Sequence, residues 1–500
     1  MNRLRRLFKQ QDGITLIMAV GILGVLSFTG ATLVYYSSSN ARSAEYSVDS
    51  TSAYDLAEAG INEMMAVLSR PENNSLKPEL LPATTNTYDA GTVTWSGTLD
   101  AATATWTLTS TGKIKNPTGK SAADVQRTLS AKVPVTATLT QPLNNPAWNY
   151  IFSTRTGNTC DMTVSQNVTG SSRLYVAGNL CLNNNADINQ TSLLVKGNLD
   201  MDNNSDVGAP TSMDTRVETY VGGNCRYHTG SWATPCSGNQ DARHVYSKMN
   251  PPSYVVGVNN TVPVIAAPAA DWTNWYSNGI PGPTQTCTTT NGARSGTVPT
   301  FDNDAVRNNS VTSIFELTPA TSYTCRVGPS GSPTGELSWN ATTKTLSVYG
   351  TIFIDGSVSA TNAAANQYNG QATIYVSGTL LFNNNTKLCG GISGTNCDFA
   401  AWDPNTEMLT FVVDATGGQA GTGNSIHIAN GGQFQGGLFA NGNVQFSQNS
   451  RSDGPIVGSE IIFDNNVQND QFPTITTVPV GMPGNPAVYA QPNPPELYSG

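Results

Sequence analysis

Charged side chains are scarce in this sequence of 500 residues. Lys, Arg, Asp and Glu make up 12% of it, about half the share of an average soluble protein. The net charge is −9, and because the first 12 residues hold four basic side chains and one acidic side chain, the rest of the chain carries −12. A nucleic-acid phosphate backbone needs a basic face, so this composition argues against a nucleic-acid partner.

Local catalytic and metal-binding motifs are also missing. The chain has only three histidines, His228, His244 and His427, and neither HExxH nor CxxC occurs. We therefore predict no catalytic residue, no metal ion and no cofactor. A triad assembled in space from distant residues stays open.

Several aspartates lie in Asn-rich segments of the chain, namely Asp200, Asp202, Asp206, Asp464 and Asp470. Carboxylates on one face of a β-helix serve polysaccharide lyases and hydrolases, but solvated turn residues are the favoured interpretation here. Calcium binding by residues 202–206 or 302–304 is a further alternative, although neither segment follows an EF-hand pattern.

One long apolar run stands near the N-terminus. Ile14 to Val34 contains 21 uncharged residues, and as a helix it reaches roughly 31 Å, enough to cross a hydrocarbon core. The basic residues before it place residues 1–12 in the cytoplasm and the body outside. A secretory signal cleaved near Ala41–Ala44 and a plain membrane anchor are the two alternatives.

A second helical pattern follows the apolar run without a break. Ala53, Ala57, Ile61, Met64 and Leu68 recur at spacings of three and four, which is the pattern of an amphipathic helix. The sequence therefore predicts one helix over residues 14–69, with its first half in lipid and its second half on a domain.

These N-terminal features resemble the type IV pilin superfamily, in particular the PilX-type minor pilus assembly proteins. The matching features are a short basic leader that ends in Gly13, an apolar segment from Ile14, and a signature formed by Leu56, Ala57, Glu58, Ala59 and Gly60. The resemblance implies that a prepilin peptidase cuts after Gly13 and methylates the new amine of Ile14.

The chain departs from most pilins at Met18, where the resemblance predicts a Glu. In pilin fibres that Glu is thought to neutralise the N-terminal ammonium of a neighbouring subunit, because an unpaired charge in a dry environment is costly. PilX-type proteins and tip-located pseudopilins commonly lack it. Met18 therefore favours a minor, tip or priming role over the repetitive fibre body.

Three β-like runs follow, at Gly91–Leu99, Thr103–Gly112 and Ala123–Leu139. Their apolar residues alternate with polar ones. An antiparallel meander packed on the amphipathic helix gives an α+β head.

The remaining body contains an internal repeat. Leu174–Ile188 matches Leu193–Val207 at a shift of 19 residues, and Phe439–Ser450 matches Val457–Val467 at a shift of 17. Short strands with Gly and Asn corners at such a period indicate a mainly-β solenoid, a right-handed parallel β-helix. An antiparallel sandwich is the alternative.

Cysteine is absent until Cys160. An even number of cysteines in an exported body indicates disulfides. Pairing of sequence neighbours predicts the bonds Cys160–Cys181, Cys225–Cys236, Cys287–Cys325 and Cys389–Cys397.

The repeats and composition shifts divide the chain into segments. They are a leader at 1–13, the pilin-like helix at 14–69, a small β head at 70–145, a first solenoid part at 146–225, a loop-rich insertion at 226–345, a second solenoid part at 346–472 and a Pro-rich tail at 473–500. Aromatic residues of the insertion form either a contact surface or a small core of their own, and they are Trp232, Trp272, Trp275 and Tyr276.

The leading functional hypothesis is structural. The protein is expected to be a single-pass protein of the cytoplasmic membrane, anchored through residues 14–34, that reaches the cell surface in a type IV pilus or related assembly. Its expected partners are other pilins, the assembly machinery, the prepilin peptidase and a host or polymer surface. A membrane-anchored or secreted β-helical carbohydrate-active enzyme is the alternative.

Overall fold

The computed structural model combines one long helix, a small antiparallel sheet and a large mainly-β body, which is the predicted fold class. It describes residues 4–70, 73–116, 123–189, 192–248, 255–257, 262–272, 314–354, 356–415, 423–486 and 490–499. Within these ranges, short 3-10 helices lie at Pro78–Leu80, Pro146–Asn149 and Asp241–Arg243.

Helix α1 spans Leu4–Leu68, so the apolar run and the amphipathic segment form one element. Side chains just beyond its end satisfy the last carbonyls, which have no partner inside a helix. The Asn73 amide donates to the Val67 carbonyl at 2.7 Å, and the Ser75 hydroxyl donates to the Leu68 carbonyl at 2.7 Å. The helix therefore stops where the head begins.

The head sheet packs against the C-terminal third of α1. Its strands are β1 (Thr84–Tyr88), β2 (Gly91–Asp100), β3 (Thr105–Ile114) and β4 (Val125–Ala137), paired antiparallel in that order. The predicted runs correspond to β2, β3 and β4. Strand β1 has no apolar alternation, so the sequence gives no signal for it.

The C-terminal tail returns to the head. Ala490–Pro492 and Glu496–Ser499 both pair antiparallel with β4. An unpaired strand edge invites pairing with other chains. The tail that the sequence predicts only as an extended end thus covers one edge of the head sheet.

The body is a parallel solenoid whose coils contribute strands to three faces. Face A runs in space through Phe315–Glu316, Val358–Ala360, Leu380–Phe382, Ile426–Ile428, Val444–Phe446, Ile461–Phe463, Met162–Val164, Leu180–Leu182, Leu199–Met201 and Cys225–Tyr227. Face B contains Thr345–Ile354, Gln371–Val376, Met408–Val413, Gly437–Ala440, Ile456–Gly458, Ile151–Ser153, Leu174–Val176, Ser192–Val195 and Val217–Val221. Face C contains Ala365–Asn369, Lys387–Cys389, Gln433–Gln435, Arg451–Asp453, Gln468–Asp470, Thr169–Gly170, Asp187–Ile188 and Asp206–Val207.

The remaining strands close the ends and flank the stack. An antiparallel hairpin of Tyr323–Val327 and Gly335–Asn340 continues into Thr345–Ile354. At the other end of the stack, Ser247–Lys248 pairs parallel with Val217–Val221. Two further antiparallel pairs join Thr140–Pro142 to Thr477–Pro479 and Ile392–Ser393 to Asn396–Cys397.

The coils do not stack in chain order. The chain enters the solenoid in the middle at Ile151, climbs to one end at Cys225–Tyr227, reappears at the opposite end at Phe315, and stacks back to Asp470 beside its entry point. The sequence pattern predicts a first and a second solenoid part interrupted by an insertion, and it gives no order for their coils. The structure joins them into one stack.

A seam between sequence-distant coils holds the two parts together. Ile456 lies in parallel register with Ile151, and Ile461 with Met162. The Arg155 guanidinium bridges the seam, since it contacts Glu460 at 2.9 Å and the buried carboxylate of Asp161 at 3.1 Å.

Residues 262–272 lie along the outside of the stack as a strap. The Tyr175 hydroxyl donates to the Pro263 carbonyl at 3.1 Å, and the Trp272 ring packs edge-on against Tyr375 at 5.0 Å. Because these tyrosines belong to different solenoid parts, the strap crosses the seam.

Candidate functional site

Helix α1 is exposed over its apolar run. The residues from Ile14 to Val34 are all exposed, and Met18 is 64% exposed. Of the described helices, this one is long and apolar enough to cross a membrane. An exposed apolar helix of this kind requires lipid or other helices around it.

The signature around Gly60 lies in close contact with the sheet. A side chain at Gly60 would meet Val93 at 2.8 Å, and one at Gly112 of β3 would meet the Ala57 backbone nitrogen at 2.8 Å. Ala57 is fully buried and Glu58 is exposed. Leu56 and Ala59 are half-buried. The small residues Ala57 and Gly60 thus allow helix α1 to lie close to strands β2 and β3 of the head sheet.

Glu63 is a residue of this contact that the sequence analysis missed. Its carboxylate accepts hydrogen bonds from the Asn86 amide at 2.8 Å, the Trp95 indole at 2.7 Å and the Tyr88 hydroxyl. The bond to Glu63 raises the pKa of Tyr88. A carboxylate one turn after Gly60 is the only signal that the sequence offers for this link.

Of the two interpretations given for the aromatic residues of the insertion, a contact surface or a small core of their own, neither holds for Trp272, which packs on the solenoid at Tyr375. That side chain is only 9% exposed and belongs to the apolar layer by which the strap packs on the solenoid. Trp232 is 38% exposed, with the Arg226 guanidinium 4.7 Å from its ring. Trp275 and Tyr276 lie outside the described residues.

Three of the aspartates pair with Arg or His side chains of the next coil. Asp200 contacts Arg226 at 2.5 Å, Asp202 contacts His228 at 3.1 Å, and Asp206 contacts His244 at 2.7 Å. The hydrogen bond from His228 lowers the pKa of Asp202.

The other two aspartates also have partners. Asp464 accepts from Gln445 at 2.7 Å, and Asp470 pairs with Arg451 at 2.5 Å. Within the described ranges, no three His, Cys, Asp or Glu side chains are arranged to hold a metal ion. The proposed calcium segment at 302–304 lies outside these ranges.

One buried carboxylate of the body lacks hydrogen bonds. Asp453 is 1% exposed, and neither of its oxygens has a hydrogen-bond partner. Burial, and secondarily the charge of Asp470, raise its pKa to about 8. Trp402, in the loop that covers this part of face C, lies next to Gly454. At 1% exposure this carboxylate is almost entirely out of contact with solvent.

Disulfides join Cys160 to Cys181, Cys225 to Cys236, and Cys389 to Cys397. These are three of the pairs that neighbour pairing predicts. Cys325 is also disulfide-bonded, whereas Cys287 lies outside the described residues.

Comparisons with known proteins do not assign this chain to a family. No family model matches the chain, and no curated protein matches it. Among solved structures, the competence-associated pilin ComZ from Thermus thermophilus aligns over 90% of this chain and 97% of its own, with 14% identity and a TM-score of 0.37. A TM-score at that level does not establish a common fold, so the function is argued from the residues themselves.

Proposed function

We propose that this protein is a minor, pilin-like structural component of a type IV pilus or a related assembly. The observation that carries the proposal is α1, in which an exposed apolar half continues without a break into a half that packs on a β head. An element of this kind can leave the membrane and enter a bundle of similar helices while its head stays folded. The proposed partners are therefore other pilins and the assembly machinery.

The proposal includes maturation by a prepilin peptidase. The mature chain is expected to begin at methylated Ile14, and Gly13→Val is expected to leave the full-length precursor in the membrane, because the peptidase requires a small residue before the cut. Intact-mass analysis of the N-terminus distinguishes the two forms.

Gly21→Val is the matched control, since a side chain at Gly21 meets nothing within 4 Å and the position lies beyond the cleavage site. Normal maturation of Gly13→Val, or a wild-type chain that begins near Ala44, contradicts the pilin assignment. The second result supports ordinary secretion.

We place the protein at the fibre tip, where it would prime assembly or make contact with a surface. Met18 offers no carboxylate to a neighbour's N-terminal ammonium, and a body of this size crowds a fibre of repeated subunits. Immunogold labelling of sheared fibres is expected to mark one end only. Regular labelling along the shaft would refute this placement, and Met18→Glu tests whether the missing carboxylate limits incorporation.

A further inference from the structure

The corner between faces A and C carries a repeated pair of residues. The pairs, in spatial order along the solenoid, are Asn384-Asn385, Asn430-Gly431, Gln448-Asn449, Asn465-Asn466, Gln166-Asn167, Asn184-Asn185 and Asn203-Asn204. Successive coils are about 4.8 Å apart, so seven coils form a row roughly 29 Å long. The row continues across the seam, although its two parts are far apart in sequence.

Backbone conformation explains only the second residue of each pair. Every second residue has a positive φ, for example 58° at Asn449 and 69° at Gly431. Asn and Gly tolerate this left-handed conformation better than other residues. The identity of the second residue therefore follows from the turn.

The first residue of each pair has no such requirement. It is absent from the positive-φ residues, yet all seven coils have Asn or Gln there, including Asn430, which precedes a glycine. Asn and Gln differ in length and share only the amide group. Their common feature is thus chemical, and the turn does not demand it.

These first-position amides are accessible and unused within the molecule. Six are exposed and Asn465 is half-buried. None of the seven side chains forms a hydrogen bond with another residue in the part of the chain that the structure describes. Each amide therefore presents donors and an acceptor to solvent.

The row is also uncharged. No residue of the seven pairs is ionisable. The nearby Arg451 pairs with Asp470 at 2.5 Å, and the acids Asp464 and Asp202 directly precede Asn465 and Asn203. An open groove of about 270 Å³ is lined by the second-position residues Asn449 and Asn466, and by Arg451 and Gln468 among other residues. These features suit a long neutral ligand with many hydroxyl groups, and they do not suit an anionic polymer.

We propose that this row of first-position amides, the amide row, is a binding surface for a neutral polysaccharide chain that lies along the solenoid axis. Hydroxyl groups both donate to and accept from amides, and a polymer repeats its hydroxyls as the coils repeat their amides. The inference rests on the proposed function, because a solenoid that a pilus carries outside the cell can reach such a polymer.

The test measures binding of the purified full chain, kept in detergent, to insoluble cellulose and to insoluble chitin. The triple variant Gln166→Ala, Asn184→Ala and Asn203→Ala is expected to weaken binding at least about tenfold, since three ligand hydrogen bonds are lost. The matched control is Asn62→Ala, Gln126→Ala and Asn493→Ala, which removes three exposed amides of α1, β4 and the tail, and it is expected to bind normally.

A second variant distinguishes the effect of losing the amide groups from effects of side-chain length or of folding. Gln166→Asn, Asn184→Gln and Asn203→Gln keep the amides and are expected to retain binding, with the same unfolding temperature as the alanine triple. Equal binding by the alanine triple, or no binding of the wild type to either polymer, overturns the inference. The inference is also overturned if the alanine triple no longer associates with purified pilus fibres but binds polysaccharide as the wild type does, because the row is then a contact between proteins.

The outcome is independent of the pilin assignment. A chain that matures at Ile14 but binds neither polymer overturns the amide-row inference alone. A chain that binds but keeps its leader overturns the pilin assignment alone.

Discussion

Asp453→Asn is expected to raise the free energy of unfolding of the solenoid by several kcal/mol at about pH 8, and by little below pH 3.8. The wild-type acid is buried without hydrogen bonds, so its charged form is costly in the folded state. Asn has nearly the same shape and stays neutral at every pH.

The sign follows from the raised pKa of Asp453. Between the ordinary value of 3.8 and about 8, the folded state holds a proton that the unfolded state has released. Stability of the wild type therefore falls as pH rises through this window. The Asp470 carboxylate enlarges the effect and Arg451 reduces it.

Denaturant unfolding as a function of pH measures this difference. Asp214→Asn is the matched control because Asp214 is an exposed acid of the same body, and it is expected to leave the pH profile unchanged. A wild type and an Asp453→Asn variant with parallel profiles over this range would show that the acid is solvated or paired in the folded protein.

Gly60→Val is expected to destabilise the head by about 1–3 kcal/mol or more, the usual range for overpacking. The added side chain meets Val93 and Ser110. The helix cannot move away cheaply, because its backbone at Ala57 also lies against Gly112. Thermal unfolding and protease sensitivity of the full chain report the loss.

Gly30→Val makes the same change on the same helix, where a side chain meets nothing within 4 Å. This control is expected to leave the head unaltered. If both variants are equally stable, Gly60 does not set the distance between helix and sheet, and its place in the signature has another cause.

Local patterns predicted the elements of this protein well. The apolar run and the three-four spacing from Ala53 to Leu68 predicted the helix, and alternation predicted β2 to β4. The repeat at a shift of 19 residues predicted the coils, and Leu180 indeed lies in register with Leu199. Each of these signals depends on residues that are close in sequence.

The sequence by itself determined the coil, its corners and the helix, because backbone preference and apolar periodicity act over a few residues. Only the tertiary structure decided the order of the coils, which places Ile461 beside Met162. It also decided the burial of Trp272 against Tyr375 and the burial of Asp453 without a hydrogen-bond partner. Every coil presents a similar backbone edge, so local rules permit many stacking orders. Which edges meet depends on contacts between distant side chains, such as Arg155 with Glu460 across the seam.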